Sequence, residues 1–115
     1  MAIPSIVTAI PKRRYQYGEF NITLLTEITS HDPGTYLYIA AVLQEGKTAP
    51  EVYITCEPIS AHESGPYKVR VLSADQEHTI NEGPQWASEQ TFCDFALQGV
   101  AQMFELSDEK PILLG

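Results

Sequence analysis

The stretch EFNITLLTEI, residues 19–28, decides the fold because its apolar and polar residues alternate. Phe20, Ile22 and Leu24 share one face, and polar side chains separate them. A period of two predicts a β-strand with one buried face. Upstream, Tyr15 and Tyr17 occupy odd-numbered positions, whereas Phe20, Ile22 and Leu24 occupy even-numbered ones. A bulge at Gly18 would bring the two tyrosines onto the buried face.

Turn residues and alternation predict further strands downstream. Residues 36–43 are apolar at both parities, which is typical of a central strand that is covered on both sides. Residues 52–57 and 67–71 alternate, and residues 78–81 are compatible with a short fifth strand. Because the links between these strands are short, the sheet is expected to be antiparallel.

The C-terminal third has the spacing of an amphipathic helix that begins at Gly83-Pro84 or at Ser88 and ends near Leu106. The residues of its apolar stripe are Cys93, Ala96, Leu97, Val100 and Phe104. A helix with such a stripe must cover an apolar sheet face, since neither element can bury its apolar side alone.

These elements predict an α+β fold: an antiparallel meander sheet of four to five strands, with one C-terminal helix packed on one face. We expect a single domain over residues 1–115, in which residues 1–14 form an arm or edge strand and residues 107–115 a tail. The residues expected to face the helix are Phe20, Ile22, Leu24, Leu37, Ile39, Val52, Ile54, Val69 and Val71.

The second sheet face is the main candidate for function, because one helix covers only one side. Alternation places an aromatic-rich set of residues on this face: Tyr36, Tyr38, Val42, Tyr53, Thr55, Lys68 and Arg70. Exposed apolar patches of this kind mark contact surfaces. The first hypothesis is therefore a homodimer interface; cover by the chain's own ends and a ligand or peptide groove are the alternatives.

Charge limits the partners. The net charge of −8, from 15 acidic and 7 basic residues, disfavours nucleic acid and favours a basic protein. An acidic inhibitor or immunity-type protein is thus a second hypothesis. It requires one patch from the acidic residues Glu45, Glu51, Glu57, Glu63, Asp75 and Glu77.

A third hypothesis is a small metal-dependent or acid–base enzyme. In a meander, His31, Asp32, His62 and Glu63 would meet at one end of the sheet, where imidazoles and carboxylates can bind a divalent metal or transfer protons. A pocket lined by Trp86 would favour it. The spacing matches no metal motif, and the sequence predicts no cofactor and no catalytic residue.

Two cysteines, Cys56 and Cys93, fall on apolar faces outside any CxxC spacing and are predicted to be buried free thiols. This favours a cytoplasmic location. No apolar window is long enough to span a membrane, and the basic residues 12–14 follow the apolar N-terminal stretch rather than precede it, unlike a signal peptide. Taken together, the residues predict a small acidic, non-enzymatic binding or assembly protein.

Overall fold

The computed structural model describes residues 4–32, 35–50, 52–58, 67–73, 76–106 and 109–114. Its strands form an antiparallel sheet, and an α-helix covers one face. The predicted α+β class and the antiparallel sheet with a C-terminal helix are confirmed.

The elements follow one another along the chain, and most neighbours in sequence are neighbours in the sheet. They are β1 (Ile6–Tyr17), β2 (Phe20–Ser30), β3 (Tyr38–Gln44), β4 (Val52–Pro58), β5 (Tyr67–Ser73), β6 (Glu77–Gly83), a 3-10 turn (Pro84–Ala87), α1 (Glu89–Met103) and β7 (Ile112–Leu113). The sheet order is β6-β5-β4-β3-β2-β1-β7, so β7 returns to pair with β1.

The prediction of four to five strands was wrong, because the described residues form seven. Gly18 is a turn residue at φ +60° rather than a bulge, and Tyr17 pairs with Phe20 across the resulting hairpin. A glycine that accepts positive φ serves a bulge or a turn equally well, so the sequence pattern does not separate the two. The predicted tail contributes β7, in which Leu113 pairs with Tyr15.

The helix packs where its apolar stripe predicts. The Ser88 hydroxyl caps it by accepting a hydrogen bond from the Thr91 N–H at 3.3 Å. Phe92 and Val100 are fully buried against the sheet. The core that α1 shares with the sheet contains Phe20, Ile22, Leu24, Ala40, Val42, Ile54, Cys56 and Val69, with Leu37, Val52 and Val71 packed at its margin.

One helix-facing residue was assigned to the wrong side. Ile39 points away from α1, whereas Ala40 occupies the helix side between its register partners Leu24 and Ile54. Both faces of β3 are buried, so alternation alone cannot orient it. The small Ala40 leaves room for the helix above the centre of the sheet.

Candidate functional site

Two residues of the predicted interface lie beneath the helix. The Tyr38 hydroxyl donates to the Ala87 carbonyl at 3.0 Å, and its ring stacks on Phe92 with centroids 5.5 Å apart. Val42 is 3% exposed within the helix-side core. The assignment of Tyr38 and Val42 to the far face was therefore wrong.

A β-bulge explains why alternation misplaced Tyr38. The Leu37 N–H donates to the Cys56 carbonyl at 2.8 Å, while Tyr38 is the register partner of the same Cys56. When two residues of one strand face a single residue of its neighbour, the side chains beyond that point alternate in the opposite phase. Tyr36 consequently lies on the opposite side of the sheet from Tyr38.

The sheet surface away from α1, here called the open face, contains a largely buried ion pair. Arg70 donates from Nε to Glu57 Oε2 at 2.6 Å and from its terminal nitrogen to Oε1 at 3.2 Å. The Thr55 hydroxyl donates to Glu57 at 2.6 Å, and Arg70 also reaches Glu77 at 2.6 Å. Thr55 and Arg70, both predicted at an interface, are thus engaged inside the chain.

Tyr36 lies beside this ion pair and is held by Asp32. The Tyr36 hydroxyl donates to Asp32 Oδ2 at 2.8 Å, and the Ser5 N–H donates to the same oxygen at 2.9 Å. Burial, and then the hydrogen bond to Asp32, raise the pKa of Tyr36 well above its ordinary value. Its phenol therefore stays protonated at neutral pH and is not a base.

Tyr53 and Lys68 complete the predicted interface, and both are half-buried on the open face. Burial raises the pKa of Tyr53. Lys68 lies between Glu57 and Glu82 in the register of β4, β5 and β6. The open face therefore holds fewer of the predicted aromatic residues than expected, and the homodimer stays a prediction.

The predicted histidine site is described only in part. His62 and Glu63 lie outside the described residues, and the His31 N–H donates to the Ser5 carbonyl at 2.9 Å. Within the described ranges, no group of three or more His, Cys, Asp or Glu residues could hold a metal ion.

A cavity of about 290 Å³ does lie at this end of the sheet. The described residues that line it are Thr35, Tyr36, Leu37, Pro58 and Tyr67. Trp86 is absent from this described lining and instead lies in the helix-side core, where it is 4% exposed. The sequence-based expectation of a Trp86 pocket therefore does not describe this cavity.

Of the acidic residues proposed to form one patch, the structure describes three. Glu57 and Glu77 converge on Arg70, which neutralises part of their charge. Glu45 lies in the turn after β3, where its N–H donates to the Glu19 carbonyl at 2.7 Å. The other members, Glu51, Glu63 and Asp75, fall outside the described residues.

Both cysteines are buried free thiols, as predicted. The Cys56 thiol donates to the Trp86 carbonyl at 3.2 Å, and burial, with Glu57 adding to it, raises the pKa of Cys56 to about 12. Cys93 contacts the Tyr15 hydroxyl at 3.5 Å. Since the thiolate is the nucleophile, Cys56 is unreactive at neutral pH.

A feature that the sequence reasoning missed is an apolar groove between the helix and the edge strand β6, here called the α1–β6 groove. It has a volume of about 280 Å³, and its described lining is Val71, Ile80, Phe95, Gln98, Gly99, Gln102 and Met103. Ile80 and Met103 at its rim are 41% and 39% exposed. Two half-exposed apolar side chains beside an apolar cleft make this groove a candidate contact surface.

A β-bulge places Ile80 in this groove. Asn81 pairs with Val69 and Thr79 pairs with Arg70, so Ile80 between them has no register partner. Bulges redirect side chains and increase twist at sheet edges. The only sequence signal of this was an apolar residue within the otherwise polar strand EHTINEG.

The described residues that line the groove are uncharged, but the two elements that border it carry acidic residues. β6 carries Glu77 and Glu82, α1 carries Glu89 and Asp94, and neither element contains Lys or Arg. The pairing of β6 leaves its outer edge without a partner among the described strands. Because the Ser73 N–H donates to the Gln76 carbonyl, antiparallel geometry directs the backbone groups of Glu77 toward that free edge.

No family model matches this chain, and neither the curated proteins nor the solved structures include a match to it. In the described part of the chain, no helix has the length and apolarity needed to cross a membrane.

Proposed function

We propose that this chain is a small, non-enzymatic binding or assembly protein whose binding site is the α1–β6 groove. The observation that carries the proposal is the apolar cleft of about 280 Å³ with Ile80 and Met103 half-exposed at its rim. Filling it would remove apolar surface from water, which is favourable by roughly 25 cal/mol per Å².

The size of the groove favours a side chain from another protein as its occupant. Small-molecule sites enclose roughly 300–1,000 Å³, and this groove lies just below that range. Its Met103, Gln98 and Gln102 side chains have several rotatable bonds and adapt to different shapes. A large aliphatic or aromatic anchor residue fits such a lining.

The chemistry of the groove supports binding over catalysis. None of its described lining residues carries a titratable group. Elsewhere, the raised pKa values of Tyr36 and Cys56 keep both side chains protonated at neutral pH. General acid–base work needs a group whose pKa lies near the operating pH.

The earlier hypotheses are compatible with this site in modified form. Self-association is retained as a proposal, with the groove replacing the face that contained Tyr38 and Val42. Capture of a basic partner is also retained, because the net charge is −8 and the bordering strand β6 carries Glu77 and Glu82 but no Lys or Arg. A cytoplasmic location remains a proposal that rests on the two buried thiols.

Methyl NMR of the protein labelled at its methionines tests the site directly, because Met103 lies at the groove rim and Met1 supplies a second signal. The probe is a short peptide with one leucine flanked by lysines. We expect the Met103 signal to shift with this peptide and to respond little when serine replaces the leucine. A Met103 signal unchanged at millimolar peptide would refute binding at the groove.

The variant Ile80→Asp tests where the peptide binds, because it places a charge at the rim of the groove and should weaken the peptide-induced shift. Ile80 is 41% exposed, so the substitution should leave the fold intact, as circular dichroism can verify. A peptide-induced shift that is as large in Ile80→Asp as in wild type would place the binding elsewhere.

A further inference from the structure

Resting on the binding function proposed above, we propose that the occupant of the α1–β6 groove is strand β1 of a second copy of this chain. In this contact Ile10 is the apolar anchor, and Lys12 and Arg14 face the acidic edge strand β6. The contact joins opposite edges of the sheet, so the copies associate head to tail.

Strand β1 has an open edge that suits this contact. β7 pairs only with Tyr15 and Gln16, and the Leu114 N–H reaches the Arg14 carbonyl. The rest of the outer edge of β1 has no partner among the described strands. Ile10 is 48% exposed there, although it lies within a strand.

The charges of the two edges are complementary. Residues 12–14 hold three of the seven Lys and Arg residues of the chain. Arg13 is occupied, since it donates to Gln90 at 2.9 Å and lies 3.3 Å from Glu89. Lys12 and Arg14 are exposed and available to an acidic partner surface.

The side chains of β1 also lie on the sheet faces that this contact requires. Ile10 pairs with Thr26, which alternation from Leu24 places on the helix side, and the groove lies on that same side. Arg14 pairs with Thr23, which lies on the open face. Neighbouring strands of a continued sheet keep their faces, so Ile10 would meet the groove while Arg14 meets carboxylates on the open face.

On β6, both carboxylates lie on the open face, where Glu82 is exposed and Glu77 also accepts from Arg70 at 2.6 Å. Glu77 pairs with Leu72, and Glu82 pairs with Lys68. The bulge at Ile80 sends that side chain to the helix side between them. Each edge therefore has an apolar residue on the helix side, Ile10 on β1 or Ile80 on β6. On the open face, β1 is basic and β6 is acidic.

A basic peptide from an unrelated protein could supply the same charge. This chain itself, however, carries the anchor, the adjacent basic residues and two sheet edges that lack a partner among the described strands over most or all of their length. The two patches differ, so the contact is heterologous and continues into a ring or an open chain of copies, unlike a two-fold dimer.

Complementation between two defective variants tests the inference. Ile80→Asp disables the groove and Ile10→Asp disables the anchor; both sites are exposed enough to tolerate the change. Sedimentation velocity should show wild type associating with concentration beyond a dimer. Each variant alone should associate at least about tenfold more weakly, because the new carboxylate would be buried unpaired.

An equimolar mixture of the two variants should form a heterodimer and stop there. The intact groove of Ile10→Asp accepts the intact strand of Ile80→Asp, while the remaining patches are blocked. Ile112→Asp, at a residue that is 59% exposed on β7, is the matched control and should assemble like wild type. A Lys12→Glu/Arg14→Glu variant should also lose association, and added salt should weaken wild type.

A mixture that associates no better than either variant alone would overturn the head-to-tail contact, as would a wild type that stays monomeric up to millimolar concentration. These failures are separable from failure of the proposed function. A monomeric wild type whose Met103 signal still shifts with the lysine–leucine peptide would leave binding at the groove in place and remove only the second copy as occupant.

Discussion

The two faces of the sheet are both buried near its centre by apolar residues, but they differ in their polar groups. On the helix side, Ile54 and Val69 pack against Phe92 and Val100, and each is fully buried. On the open face, Ile39 and Leu72 are also fully buried. There, however, the fully buried Thr55 donates to Glu57, whose charge is matched by Arg70.

Because of this difference, the two faces are stabilised by interactions with different geometric requirements. Apolar burial is non-directional and survives small errors of position. The open-face cluster depends on hydrogen-bond geometry, because a buried charge without its partner is costly. Both faces should therefore respond to lost volume, and the open face should respond in addition to an unmatched charge.

The largest effect is expected on the helix side. Phe92→Ala should lower the free energy of unfolding by about 3–5 kcal/mol, since it removes a fully buried ring that stacks on Tyr38. Urea unfolding followed by circular dichroism measures the change. Ile80→Ala, at a half-exposed apolar residue, should stay within about 0.5 kcal/mol of wild type. Equal losses for the two variants would mean that the helix stripe is not the core.

A loss of about 3 kcal/mol is expected for Arg70→Met on the open face, because Glu57 is left buried without its counter-charge. The double variant Arg70→Met/Glu57→Gln should recover most of this loss, since the neutral amide still accepts from Thr55. The same unfolding measurement applies. If the double variant is as unstable as the sum of its single variants, the two residues are not coupled.

The smallest effect concerns the placement of two tyrosines. Tyr38→Phe should cost about 1 kcal/mol, because the hydrogen bond to the Ala87 carbonyl is lost. Tyr53→Phe should change stability little, since its hydroxyl has no hydrogen-bond partner among the described residues. Thermal melting of the pair measures the difference, and the reverse order would return Tyr38 to the open face.

Several elements followed from the sequence by itself. The alternation in residues 19–28 predicted a half-buried strand, and the stripe from Cys93 to Phe104 predicted the helix and its sheet contact. Ser88 was recognisable as a helix cap from its residue type and position. These features are local, because each depends on residues within one element and on a fixed structural period.

Only the tertiary structure decided how β3 faces the helix, because a strand that is apolar at both parities satisfies either orientation. The bulges at Leu37 and Ile80, the turn at Gly18 and the pairing of Glu57 with Arg70 depend on the register between strands. The α1–β6 groove likewise arises where a helix and a strand fail to meet completely. Such features depend on how separate elements are placed in space, which the period of a single element does not specify.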